Sequence, residues 1–87
     1  MYENNLEDIN KAQKGDQDAM TRLIENNKGL IWNIVKRFNG RGYEIEDIYQ
    51  IGCLGFIKAI KRFNTNFEVQ VSTYAVPYIL GEIKRVI

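Results

Sequence analysis

The sequence predicts a small all-α domain, a bundle of about four helices. Apolar residues recur at helical spacing between three breaks, and no stretch of any length shows the alternating pattern of a β-strand. The breaks are Gly15-Asp16, residues 39–42 and residues 64–66, where glycine, asparagine and aspartate favour turns. Because the 87 residues contain no visible repeat, linker or low-complexity tract, we expect a single domain.

The first two predicted helices lie in the N-terminal part of the chain. The first spans residues 6–14, has apolar residues at positions i, i+3 and i+6, and is ended by Gly15. Asp16 is a good N-cap for a longer helix over residues 17–38, which residues 26–29 could bend or break. The predicted core face of this helix consists of Ala19, Leu23, Leu30, Ile31, Ile34, Val35 and Phe38.

The third helix is predicted over residues 45–63. Its apolar positions are Ile48, Ile51, Leu54, Gly55, Ile57, Ile60 and Phe63. Gly52 and Gly55 lie in its interior, where each glycine costs about 1 kcal/mol relative to alanine. A close backbone approach is therefore required there, either by another helix of the domain or by a foreign surface that docks on it.

The fourth helix combines aromatic rings with cations. Ser72 is its predicted N-cap, and Pro77 lies too deep for a first-turn proline, so we expect a kink or a shifted start. An aromatic face and a guanidinium can hold a base and a phosphate, which suggests a surface for single-stranded nucleic acid. The alternative is that Tyr74, Tyr78 and Ile79 form a core stripe at helical spacing.

Positive charge is concentrated in the later part of the chain. The net charge is +1, but residues 1–27 carry three lysines and arginines against six acids, and residues 28–87 carry nine against five. We therefore expect anions to bind to the later two thirds. With so few cations that binding would be weak and salt-sensitive, so a partner that supplies more positive surface is expected.

The composition argues against an enzyme. Cys53 is the only cysteine and there is no histidine, so one chain cannot form a disulfide, a Cys/His metal site or a histidine-dependent catalytic pair. Adjacent acids such as Glu46 and Asp47 point apart on a helix. We expect no catalytic residue, cofactor, metal or small-molecule substrate, and we interpret Cys53 as a small buried residue.

The sequence also lacks the features of a membrane protein. No stretch approaches the roughly 20 apolar residues of a membrane span. The N-terminus is acidic and polar, whereas a signal peptide is basic and then apolar. The expectation is a cytoplasmic protein with no membrane partner.

One part of the third helix has the composition of a protein interface. Asp47, Tyr49 and Gln50 lie around Ile51, as polar rim residues surround an apolar centre. The alternative for Asp47 is an ordinary acidic residue at a helix N-terminus.

Blocks spread over nearly the whole chain share one further pattern. They are Gly15-Asp16, Arg37-Phe38, residues 46–59, Arg62-Phe63-Asn64, Ser72-Thr73-Tyr74-Ala75, Ile79 and Ile83-Lys84-Arg85. In this order and spacing they resemble region 2 of bacterial RNA polymerase sigma factors. The similarity is greatest to the forespore type of sporulation sigma factors, through residues 41–44, 50–53 and 74–83.

The resemblance implies a helical domain that binds polymerase core and promoter DNA. The domain would dock on the clamp coiled coil of the largest polymerase subunit through Asp47, Gln50, Ile51 and Leu54. Its last helix would recognise the single-stranded non-template minus-ten element as the strands separate. The implied DNA-binding residues are Lys58, Lys61 and Arg62 for phosphate, Thr73 and Tyr74 for an extruded base, and Ser72, Tyr78, Gly81, Lys84 and Arg85.

Some positions depart from the family pattern. Ile51 stands where primary sigma factors usually carry a glutamate, which implies a more apolar docking surface for polymerase. Pro77 and Tyr78 replace two tryptophans, which implies weaker strand opening and a stricter demand for a good promoter. Gly81 has no side chain at the position that commonly reads the upstream base pair, so that readout passes to one of Glu82, Lys84 and Arg85.

The resemblance also implies partners and further domains. Forespore-type sigma factors are held inactive by anti-sigma proteins, so a partner that covers residues 47–59 is expected. A full sigma factor would continue beyond Ile87 into domains that this chain lacks.

Two other classes of function are considered as alternatives. A helical protein-interaction module that never touches DNA would tolerate neutralisation of Lys58, Lys61, Arg62, Lys84 and Arg85. A helix-turn-helix duplex binder needs a short turn between its helices, and residues 64–70 are too long for one.

Overall fold

The computed structural model describes residues 5–66 and 68–87, which form five α-helices and one 3₁₀ turn. The helices are α1 (Leu6–Gln13), α2 (Gln17–Asn26), α3 (Lys28–Val35), α4 (Ile45–Arg62) and α5 (Val71–Val86), and the 3₁₀ turn Lys36–Phe38 follows α3. The predicted all-α class is confirmed. There is one helix more than predicted because the chain breaks at Asn27, within the run 26–29 that the sequence marked as a weak point.

The local signals at the first two breaks act as predicted. Gly15 closes α1 with a φ of +99°, a left-handed conformation that favours glycine. The Asp16 carboxylate accepts a hydrogen bond from the Ala19 N–H at 3.0 Å and so caps α2. At the break between α2 and α3, the Asn27 side chain donates to the Leu23 carbonyl at 2.8 Å, and this carbonyl also accepts from the Asn27 backbone N–H at 3.1 Å.

The start of α5 differs from the prediction. The helix begins at Val71, and Gln70 is the N-cap residue, with extended backbone and no side-chain capping bond. Ser72 is therefore not the N-cap and lies in the first turn. Val71 is buried, so the first core contact of α5 falls one residue before Ser72 and the helix starts there. The helix continues through Pro77, which is exposed.

The core is a single cluster to which all five helices contribute. From the predicted face of residues 17–38 every member is buried except Leu30, which is half-buried. In α5 the buried residues are Val71, Ala75, Ile79 and Ile83.

The apolar positions of α4 divide between the core and the surface. The structure leaves Leu54 exposed and Ile51 and Ile57 half-buried. It also buries Cys53, Phe56 and Ala59, which are not among those positions. The interpretation of Cys53 as a small buried residue is confirmed, and its burial raises the pKa of the thiol.

Helices α4 and α5 run antiparallel in close contact. Near one end the Tyr74 hydroxyl lies 3.4 Å from the Arg62 carbonyl, and at the other the Tyr43 hydroxyl lies 3.3 Å from the Val86 carbonyl. A Cβ atom at Gly55 would lie 2.5 Å from the Tyr78 carbonyl oxygen. Helix packing therefore explains this glycine, as the first of the two alternatives proposed.

Helix packing also explains Gly52, although the contacts there are less close. A Cβ atom there would lie 3.2 Å from a methyl carbon of Ile31 and 3.3 Å from one of Val35. These neighbours are side chains of α3, whereas Gly55 faces the backbone of α5. Both glycines thus face helices of this domain.

A glutamine on α1 satisfies the C-terminal end of α4. The Gln13 amide donates to the Ile60 carbonyl at 2.9 Å and to the Phe63 carbonyl at 2.6 Å. The Ile60 carbonyl lies in the last turn of α4, where it also accepts from the Phe63 N–H at 3.3 Å, and the Phe63 carbonyl lies just beyond the end of the helix. Gln13 therefore anchors the chain where it leaves α4 for α5.

We expect Gln13→Ala to lower the free energy of unfolding by about 1 kcal/mol, the typical net contribution of an intramolecular hydrogen bond. Chemical denaturation monitored by circular dichroism measures this. The control is Gln17→Ala, an exposed glutamine at the start of α2, with an expected change within about 0.5 kcal/mol. Equal losses in the two variants would contradict the anchoring role.

Candidate functional site

One exposed face of α4 contains the four residues predicted to bind polymerase. Asp47, Gln50 and Leu54 are exposed and Ile51 is half-buried. Their spacing of i, i+3, i+4 and i+7 places them along one side of the helix, and we refer to them as the docking stripe. Leu54 is 53% exposed, so a large apolar side chain faces solvent in the middle of this 18-residue helix.

The position of Asp47 is compatible both with an interface residue and with an ordinary acidic residue at a helix N-terminus. It lies in the first turn of α4 together with Glu46, where negative charge is favourable near the helix N-terminus. It is also exposed on the same face as Leu54, so its carboxylate can take part in an interface.

The C-terminal half of α4 and the second half of α5 enclose an open groove of about 410 Å³. We refer to it as the basic groove, and its lining residues are Lys58, Arg62, Pro77, Tyr78, Gly81, Glu82 and Arg85. Gly81 borders open space in this groove, since a Cβ atom there would meet nothing within 4 Å.

A carboxylate lies between two of the cations of the basic groove. The Glu82 Oε1 atom is 2.5 Å from the Lys58 Nζ and 2.5 Å from the Arg85 Nη2. The Glu82 side chain is 13% exposed, whereas Lys58 and Arg85 are 48% and 68% exposed. The hydrogen bond from Lys58, and then that from Arg85, lowers the pKa of Glu82 below its ordinary value although burial opposes this.

Aromatic rings form a row beside the basic groove. The Tyr74 ring packs edge-on against Phe63 with a centroid distance of 5.3 Å, and lies at the same distance from the Tyr78 ring. The two tyrosine hydroxyls are 3.1 Å apart. The Tyr74 hydroxyl, and then the Arg62 guanidinium, hydrogen-bond to Tyr78 and lower its pKa.

The two tyrosines are neither pure core residues nor fully exposed surface residues, the two interpretations that the sequence allowed. Tyr74 and Tyr78 pack against the core but are only half-buried, whereas Ile79 is fully buried. The rings are thus fixed by the interior on one side and reach the surface on the other.

The other residues predicted to bind DNA lie outside the basic groove. Lys61 lines a separate groove of about 240 Å³ against the turn between α1 and α2. Thr73 and Lys84 are exposed on α5, and Ser72 is half-buried at its start. The structure thus brings together Lys58, Arg62, Tyr78, Gly81 and Arg85, places Tyr74 next to them, and separates Lys61 and Ser72 from them.

Ser72 lines a cavity that the sequence did not reveal. This cavity, of about 220 Å³, lies at the start of α5, and its lining is Asn5, Leu23, Asn26, Asn27, Gln70, Val71 and Ser72. Its amide side chains come from three segments around Asn5, Asn26-Asn27 and Gln70, which are distant in the chain, so no local motif could have indicated it. The only signal was the amide pair Asn26-Asn27, which we interpreted as a helix breaker.

No helix within residues 5–66 and 68–87 combines the length and the apolar character needed to cross a lipid bilayer.

Comparison with known proteins decides the family. The family described as Sigma-70 region 2 matches residues 23–87, which run from α2 to the end of the chain. This chain belongs to that family. The resemblance inferred from the sequence blocks is confirmed, and the Sigma-70 region 2 match includes both the docking stripe and the basic groove.

Named relatives of this Sigma-70 region 2 chain are bacterial sigma factors. It is 51% identical over 79 residues to the RNA polymerase sigma-F factor of Bacillus subtilis, which covers 91% of this chain and 31% of the relative. It is 47% identical over 79 residues to the sigma-F factor of Priestia megaterium, with the same coverage. The sigma-G factor of Bacillus subtilis is 43% identical over 72 residues, covering 83% of this chain and 28% of the relative. The chain thus spans about a third of the length of these relatives.

Proposed function

We propose that this chain is the part of a sigma factor that binds RNA polymerase core and recognises the minus-ten promoter element, directing transcription initiation of sporulation genes. Membership of the Sigma-70 region 2 family and the sigma-F and sigma-G relatives support this. The function is one of binding in the cytoplasm, with no chemical step.

The observation that carries the proposal is that α4 alone connects the two surfaces. Leu54 of the docking stripe and Lys58 of the basic groove are four residues apart on one helix, about 6 Å along its axis at 1.5 Å per residue. A partner seated on the stripe would therefore be held next to nucleic acid in the groove. The clamp coiled coil is the partner we propose for the stripe.

The groove offers the two interactions that unpaired DNA needs. Lys58, Arg62 and Arg85 supply cations for phosphates, and Tyr78 supplies a ring held in place by the core. Extruding a base costs a few kcal/mol, and stacking on an aromatic ring returns about 1–3 kcal/mol per base. The free energy of strand opening is then drawn from binding at this surface.

The amide-lined cavity at the start of α5 provides a second contact. Asparagine and glutamine side chains donate and accept hydrogen bonds, as the edge of a nucleobase does. A strand that leaves the basic groove along α5 could place a further base there.

An anti-sigma protein is the regulatory partner we propose. Ile51 and Leu54 form an apolar centre with Asp47 and Gln50 as a polar rim, which suits a second protein as well as polymerase. A partner that covers residues 47–59 would compete with polymerase for the docking stripe.

Recognition of single-stranded DNA can be tested without assuming a consensus sequence. The chain is bound to polymerase core, and a pool of single-stranded oligonucleotides with a randomised segment is enriched on the complex. We expect a defined sequence to emerge that binds more tightly than its scrambled permutation. Equal binding of the two by the complex would reject promoter recognition.

The same complex can be used to test whether a base stacks on the Tyr78 ring. Tyr78→Ala is expected to weaken binding of the enriched strand about tenfold, because stacking of one base contributes about 1–3 kcal/mol. Tyr78→Phe keeps the ring and should keep most of the affinity. Fluorescence anisotropy with a labelled strand measures both, and a Tyr78→Phe loss as large as that of Tyr78→Ala would contradict stacking.

A further inference from the structure

The basic groove contains an acidic residue where a phosphate-binding surface would gain from having none. Glu82 accepts from Lys58 and Arg85 through one and the same oxygen atom, so both cations are neutralised in part when no nucleic acid is bound. Among the described residues that line the groove, Glu82 is the only acid, and the groove also contains three cations. Its position therefore calls for an explanation.

Stabilisation of the fold does not provide that explanation. The cations that Glu82 binds are about half or more exposed, and ion pairs with exposed partners contribute little to stability. Helices α4 and α5 are already held together by buried side chains such as Phe56 and Ile79 and by the close approach at Gly55.

The effect of Glu82 on DNA affinity is more direct. Sequence-independent binding of nucleic acid arises from cations that meet phosphates, and every cation held by a carboxylate is lost to that term. The carboxylate also repels the phosphates themselves. Base stacking and hydrogen bonding to base edges do not depend on charge in this way.

We propose that Glu82 is a specificity-determining residue that suppresses binding of arbitrary single strands to the basic groove. This inference rests on the function proposed above. A strand of the wrong sequence has to displace the carboxylate from Lys58 and Arg85 with its phosphates alone. A strand of the correct sequence adds specific contacts to its base edges that offset this displacement, whereas stacking on Tyr78 is open to any base. Discrimination thus comes from a repulsive element as well as an attractive one.

The test compares Glu82→Gln with the unchanged chain, each bound to polymerase core. Glu82→Gln should bind the scrambled strand about tenfold more tightly and the enriched strand by a smaller factor, so the ratio of the two affinities falls. The plot of log affinity against log salt concentration should become steeper by about 0.7 to 1.4, because Lys58 and Arg85 allow one or two additional phosphate contacts and each contributes about 0.7 to the slope for single strands.

The charge-matched control is Glu7→Gln. Glu7 forms an ion pair of 3.1 Å with Lys11 on α1, and neither residue lines the basic groove. This variant changes the net charge equally, so it should leave the affinity ratio and the salt slope close to those of the unchanged chain. Thermal melting should show that both variants remain folded.

Two outcomes overturn the inference alone. If Glu82→Gln and Glu7→Gln behave alike, the position of the carboxylate has no effect. If Glu82→Gln weakens binding of the enriched strand, Glu82 instead holds Arg85 in place for readout. If the unchanged chain itself shows no preference for the enriched strand, the proposed function fails, and this inference fails with it.

Discussion

Gly55→Ala is expected to destabilise the domain by about 2 kcal/mol, within the range typical of overpacked interiors. The added Cβ atom would lie 2.5 Å from the Tyr78 carbonyl oxygen and 2.7 Å from the Ile79 Cα atom. Both are backbone atoms, so no side-chain rotation relieves the clash and α5 has to move away from α4. The gain in helix propensity, about 1 kcal/mol, offsets only part of this cost.

Gly81→Ala is the matched control, because it makes the same change in the neighbouring helix. A Cβ atom at Gly81 would meet nothing within 4 Å, so we expect unchanged or higher stability, by up to about 1 kcal/mol. Urea denaturation of the two variants measures the difference. Equal stabilities would show that α4 and α5 can separate freely, in contradiction to the close packing described above.

Leu54→Asp is expected to weaken binding to polymerase core by at least about 30-fold, which corresponds to the loss of one interface hot spot of about 2 kcal/mol. The Leu54 side chain is 53% exposed, so the free domain should remain folded. In the proposed complex, however, the aspartate would be buried without a partner at the C-terminal end of the docking stripe. Biolayer interferometry with polymerase core, or with a fragment containing the clamp coiled coil, measures the loss.

Leu6→Asp is the control for this prediction. Leu6 is 45% exposed at the start of α1, outside the docking stripe, so the same substitution should leave polymerase binding unchanged. Leu54 is a better probe than Ile51, which packs against the core and whose replacement would also affect the fold. A Leu54→Asp variant that is retained by polymerase core would move the interface to another face.

Much of the local structure followed from the sequence because turn chemistry acts over a few residues. Gly15 and Asp16 marked the end of α1 and the start of α2, and the amide pair before Lys28 marked the break between α2 and α3. The order and spacing of the sequence blocks were also sufficient for the family. These signals do not depend on which helices meet.

The buried face of α4 was decided only by the tertiary structure. The apolar residues of this helix lie on several of its sides, so the periodicity alone allowed Ile51 and Leu54 to be core residues as well as Phe56. The packing of α3 and α5 settled the choice, since Phe56 points into the interior and Leu54 is left in solvent. The start of α5 was likewise set by the burial of Val71.

The composition of the basic groove also depended on the tertiary structure. Lys61 and Arg62 are neighbours in the sequence, yet they line different grooves because successive helical residues point about 100° apart. Lys58 and Glu82 are 24 residues apart and form an ion pair because α5 folds back along α4. The sequence by itself determined the all-α class, most of the helix boundaries and the family. Long-range packing decided which side chains share a surface, because burial depends on residues that are distant in the chain.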